Sequence, residues 1–217
     1  MVSSQASRIG STWRFGQSKR GLLQRSIYGL ARFLWQNRAR GSNNVSISMY
    51  ESSVGVFAPF LTNLSGLLDR GAAYAEARKI DPAILLNMRL SPNMYNLTRQ
   101  VDEANRHAVV GCALLAGRDP RAFSDTELDI DELKSRIAAA VDFMHELPRA
   151  TIDRAADREV IFRFRSGVER KFTGRSLLLT FSVPQFFFHL TTAYDILRHA
   201  GVDLAKKDFL GTPRQRA

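Results

Sequence analysis

Residues 174–201, GRSLLLTFSVPQFFFHLTTAYDILRHAG, are the longest apolar stretch with helical spacing in this chain, and any fold it adopts has to be built around them. Leu179, Val183, Phe186, Leu190, Ala193, Tyr194 and Leu197 recur at three- and four-residue steps, which places them on one face of a helix. Gly201 supplies a left-handed stop. Pro184 lies inside the stretch, where a proline removes one helical hydrogen bond and crowds the carbonyl four residues back, so a kink is expected there. Gln185, His189 and Thr192 form a polar row beside the apolar face, and a chemical site is expected on that row.

Composition narrows the class. With 217 residues, 45% hydrophobic and 24% charged, the chain can bury one sizeable core and carry an extension. No apolar run reaches the roughly 20 residues of a membrane span, because Ser182, Pro184, Gln185 and His189 interrupt the best candidate. A single cysteine, Cys112, excludes an internal disulfide, and its helical phase with Val101, Ala108 and Leu115 predicts a buried thiol. The net charge of +10 is unevenly placed: residues 1–48 hold eight cations and no acid, leaving 23 cations against 21 acids in the rest. A body so nearly neutral argues against a nucleic-acid partner.

Residues 1–45 read as a basic, partly disordered extension in which Leu22, Leu23, Ile27, Leu30 and Leu34 share one face of an amphipathic helix. That composition fits a mitochondrial presequence, an arm contacting an anionic membrane surface, or non-functional residues upstream of a start at Met49. Location is accordingly expected to be cytoplasmic, or mitochondrial by way of the extension. From Ser46 the spacing of Val54, Phe57, Leu61, Leu64 and Leu68 predicts a first long helix, with Pro59 near its start and good helix formers continuing to Lys79. Asp81-Pro82 predicts a short capped helix, and Ser91-Pro92 is expected to open a second long one through Leu97, Val101, Ala108 and Leu115 to Gly117. Residues 118–129 read as an acidic loop without calcium-loop spacing. Asp131 is expected to cap a third helix that ends before Pro148, and alternation from Val160 to Phe172 across Ser166-Gly167 predicts a β-hairpin. Residues 212–217 read as a disordered tail.

Three blocks in this order, SISMYESSVGVF at 46–57, ARKIDPAILLNMRLSPNMYNLTRQV at 77–101 and FHLTTAYDILRHAGVDLAKKDFLG at 188–211, resemble a bacterial and fungal domain-of-unknown-function family of the DinB/YfiT-like metalloenzyme superfamily. The resemblance covers about 46–211. It implies an all-α fold, a four-helix bundle with the hairpin inserted before the last helix, and a divalent metal held by one histidine of the second helix and an i, i+4 pair of the fourth. Two helical residues four apart share a face, so such a set leaves open positions on the ion. This chain departs from the pattern. His189 matches one histidine, whereas the others fall on Gln185 and near Gln100, and amide oxygens are weak ligands for zinc, nickel or iron.

No metal is therefore expected, or, if one binds, it is held by His189 with Gln185 and Gln100. The bland reading is a buried His189 bonded to Gln185, Gln100 or Tyr95, with Thr192 nearby. His107 lies two turns beyond Gln100 and is expected to substitute only if the helix is shifted; His145 and His199 read as surface residues at helix ends. The expected function is a binding or assembly role, as a homodimer without a complete three-histidine site. The alternative is a metal-dependent transferase or isomerase of thiol-cofactor type.

Overall fold

The computed structural model describes residues 47–120 and 129–212. The expected amphipathic helix of the extension, most of the acidic loop and the last five residues lie outside them. Four long helices, α2 (Val54–Arg78), α4 (Leu97–Ala116), α5 (Ile130–His145) and α8 (Val183–His199), pack around an apolar core. Short helices α1 (Met49–Ser52), α3 (Pro82–Asn87), α6 (Arg149–Asp153), α7 (Gly174–Ser176) and α9 (Lys206–Leu210) flank them. The one sheet among the described residues is an antiparallel pair, β1 (Glu159–Arg163) and β2 (Glu169–Thr173), with Val160 opposite Phe172 and Phe162 opposite Arg170. No helix among the described residues is long and apolar enough to cross a membrane.

Local signals explain most boundaries. The Asp81 side chain accepts from the Ala83 amide and Pro82 takes the first turn of α3, as the dipeptide predicts. Two expected caps move. Ser91-Pro92 forms a turn instead of a helix start, and the Asn96 side chain caps α4 by accepting from the Arg99 amide. Asp129, not Asp131, caps α5, in a reciprocal box with Glu132 that satisfies two otherwise orphaned amides. Cys112 is buried, and burial pushes its thiol up to about 12, so it is unreactive at neutral pH.

The largest departure falls in the stretch that organises the chain. A π-helical segment, Leu177–Ser182, joins α7 to α8 directly before Pro184. A wider turn there relieves the clash between the proline ring and the carbonyl ahead of it. It also changes the helical phase. Leu179, expected inward, is 54% exposed, while Leu177, Leu178 and Ser182 are buried in its place; Phe186, Leu190, Ala193 and Leu197 lie in the core as expected. Gly111 of α4 is the point of closest approach to this segment, since a Cβ added there would stand 2.8 Å from Ser182 Oγ.

The hairpin lies on the outer face of α4. Val160, Phe162 and Leu177 form a second apolar cluster with Val110, Leu114 and Phe181. Its cationic side is occupied by cross-strand pairs, Arg163 with Glu169 and Lys171 with Glu159. Arg165, in the turn, points back to α4 and bonds Asp102 at 3.1 Å.

Candidate functional site

The polar face of α4 is buried. Gln100, Asp102, Glu103, Asn105 and His107 are each no more than 6% exposed, and among the described residues the remaining buried polar side chains are Ser53, Ser182, His189 and Thr192. Burying such groups is costly unless they are paired. The two carboxylates are paired: Asp102 with Arg99, Arg136 and Arg165, and Glu103 with Arg99 at 2.7 Å, Arg106 at 3.3 Å and Arg165 at 3.5 Å. Arg99 and Arg165 engage Glu103 Oε1, and among the described residues Oε2 meets Arg106, with His107 Nε2 nearby.

His189 reaches this face from α8. Its Nδ1 lies 2.8 Å from Gln100 Oε1, and Gln100 Nε2 donates to the Tyr95 carbonyl at 3.2 Å. The second bond settles which end of the amide faces the imidazole. Nδ1 therefore carries the hydrogen and Nε2 keeps its lone pair. Burial holds the His189 pKa below its ordinary value, with Glu103 acting against this and Arg99 and Arg106 adding to it.

His107 is parallel to His189, with ring centroids 5.7 Å apart and planes 9° apart. Phe162 stacks near it and Phe181 meets it edge-on, at centroid distances of 6.1 and 5.5 Å. Its Nδ1 is buried without a hydrogen-bond partner, and its Nε2 stands 3.8 Å from Glu103 Oε2, too far for a hydrogen bond. Burial first, then Arg106 and His189, bring its pKa down to about 3. The imidazole is neutral, so the histidine and Glu103 are not an ion pair.

Ligand atoms of Glu103, His107 and His189 all lie within 4.8 Å of one another. Donors on a tetrahedral ion with bonds of about 2.0–2.1 Å stand roughly 3.3 Å apart, so binding an ion would require these side chains to draw closer. Two neutral imidazoles and a carboxylate oxygen are a donor set suited to zinc and its neighbours, so these residues fit a divalent metal. A cavity of about 380 Å³ opens beside them, walled by Tyr95, Arg106, Phe164, Arg165, Phe181 and Gln185. The hairpin turn thus supplies one wall.

The residues singled out in the sequence fare unequally. Gln100 and His189 meet through Nδ1 of the imidazole, which leaves Nε2 outside that bond and fixes the ring by the amide of Gln100. Gln185 lines the cavity without a hydrogen bond to His189 among the described residues. Tyr95 is 51% exposed, at the rim, its ring 6.4 Å from that of His189. Thr192 is buried, but its hydroxyl donates to the Phe188 carbonyl one turn back and does not line the cavity. Glu103 and His107 of α4 with His189 of α8 form a group that could hold an ion, and it draws on neither Gln185 nor Gln100. The His107 ring lies parallel to that of His189, whose Nδ1 meets Gln100. Glu103 was missed, although EANRH at 103–107 shows an acid and a histidine four apart on one face.

Comparison with known proteins agrees with this architecture. The family described as a domain of unknown function, DUF1993, matches residues 49–210. The chain belongs to the DUF1993 family. A DinB family member protein from Shewanella denitrificans, known from a crystal structure, is similar to it with 35% identity and a TM-score of 0.71 over 77% of this chain and 94% of that one. No match was found among curated proteins. This DUF1993 protein is thus mainly helical with a two-stranded hairpin, and DinB-like in fold.

Proposed function

We propose that this DUF1993 protein binds a divalent transition metal through Glu103, His107 and His189 and uses it on a small molecule held in the adjoining cavity. One observation carries the reading: His107 is an imidazole 5% exposed, with no hydrogen bond to either nitrogen among the described residues, beside a carboxylate oxygen and a second neutral imidazole. An unpaired buried polar group is costly, and a metal on Nε2 recovers part of that cost. Gln100 has the outer-shell role that metal-ligating histidines need, fixing the tautomer and ring plane of His189. A bound ion supplies Lewis acidity toward a carbonyl, or lowers the pKa of a bound water or thiol, which is the chemistry of a metal-dependent transferase or isomerase.

A second reading, a metal-free binding cavity, draws on Glu103, whose carboxylate is already engaged by three guanidiniums. Elemental analysis of protein purified without a histidine tag separates the two. About one equivalent of zinc, nickel or iron in the wild type, lost in His107→Ala and in His189→Ala, supports the metal site. Metal-free wild type that takes up no zinc at micromolar concentration supports the second reading.

A further inference from the structure

Arg106 lines the cavity immediately beside the triad, with its side chain 17% exposed. Its guanidinium has one hydrogen bond among the described residues, from Nη1 to Glu103 Oε2 at 3.3 Å, and lies over the Phe162 ring at 5.4 Å. The donors on Nε and Nη2 of a largely buried, permanently charged group have no hydrogen-bond acceptor among the described residues. An arginine fork of this kind matches a carboxylate, which accepts two parallel N–H bonds.

The charges around it point the same way. Glu103 is the carboxylate against which a divalent ion and Arg106 both stand, and its other oxygen is taken by Arg99. Arg165 is bonded to Asp102 and Glu103. Phe164, Phe181 and Tyr95 line the cavity together with Ser166 and Gln185, and Phe164 and Phe181 pack edge to face at 5.7 Å. A flat apolar body can lie against the faces these rings present to the cavity. We infer that the cavity takes a small monocarboxylate with a flat apolar body, its carboxylate held by Arg106 next to the metal position. This rests on the metal reading for the ion's share of the attraction, whereas the contribution of Arg106 does not depend on it.

Benzoate and its neutral isostere benzamide are suitable probes, titrated calorimetrically into metal-free and zinc-loaded protein. Zinc-loaded wild type is expected to prefer benzoate by about tenfold or more, and metal-free protein by a smaller factor. Arg106→Met removes the guanidinium but none of the three donors; it is expected to take up zinc and to lose most of the preference, while Arg106→Lys keeps part of it. Equal binding of the two probes by zinc-loaded wild type, or a preference unchanged in Arg106→Met, overturns the inference. If the protein takes up no zinc, the metal reading fails by itself and the metal-free titration decides: preference for benzoate upholds the role of Arg106, and its absence overturns it. Should Arg106→Met not fold, the wild-type comparison of the two probes decides alone.

Discussion

Helices α2 and α4 are the two longest in the described chain, and both run through the interior, yet they are built on different terms. Every buried residue of α2 is apolar: Val54, Phe57, Ala58, Leu61, Leu64, Leu67, Leu68, Gly71 and Ala75. Helix α4 is buried on nearly all sides, and its inward positions include Gln100, Asp102, Glu103, Asn105 and His107 as well as Val101, Ala104, Ala108 and Cys112. The apolar side of α4 serves the same core as α2. Its polar side faces α8 and the hairpin turn, where every charge needs a partner and His107 has no hydrogen bond. An apolar interior maximises stability, and buried polar groups give up part of that gain unless they are paired. The contrast places the hydrophobic anchoring on α2 and the buried polar groups on α4.

The strongest way to break the contrast is to truncate both helices and compare. Phe57→Ala on α2, at a fully buried ring 4.8 Å from Phe186, is expected to lose about 3–5 kcal/mol in denaturant unfolding and to leave zinc stoichiometry intact. His107→Ala is expected to do the reverse. Zinc affinity falls by about a hundredfold or more, roughly 2.7 kcal/mol, while metal-free stability changes by less than about 1 kcal/mol, because the group removed was itself unsatisfied. Equal destabilisation by the two changes would make the polar face of α4 structural.

Acid sharpens the same point. Burial brings the folded pKa of His107 down to about 3, below the ordinary imidazole value of 6.5. On acidification the unfolded chain takes up this proton first, so the folded state is progressively disfavoured below pH 6.5 and the loss continues to about pH 3. Between pH 6.5 and 5 the metal-free protein is expected to lose about 2 kcal/mol from this residue, and His107→Gln should flatten that part of a stability-against-pH curve. An unchanged slope in the variant would place the acid sensitivity elsewhere. The smallest effect is the most specific. Gln100→Ala should weaken zinc binding by about tenfold without removing a ligand, and Gln100→Glu should restore it, since a carboxylate accepts the His189 Nδ1–H at least as well. Unaltered affinity in Gln100→Ala would reduce that hydrogen bond to packing.

What the sequence by itself determined was local. Heptad-like spacing, prolines and caps laid down the long helices and the hairpin, because each such signal acts within a turn or two of chain: the Asp81-Pro82 start of α3 and the alternation of Val160 and Phe162 are of this kind. His189 could be picked out as a site candidate from its polar neighbours alone. The Glu103–His107 pair was equally local and open to view, but it lay beyond the position to which the family pattern pointed.

Tertiary structure decided the rest, and for two physical reasons. The π-helical segment before Pro184 changed the phase of the organising stretch, exposing Leu179 and burying Leu177 and Leu178; a 3.6-residue count carried across it therefore goes wrong on the far side. The bond between His189 and Gln100 joins residues 89 apart, and its register depends on how α8 slides and rotates on α4 at contacts such as Gly111 with Ser182. Periodicity specifies which face of a helix is inward and is silent on the height at which two inward faces meet. That height brought His189 to Gln100 and His107, and so made Glu103, His107 and His189 neighbours.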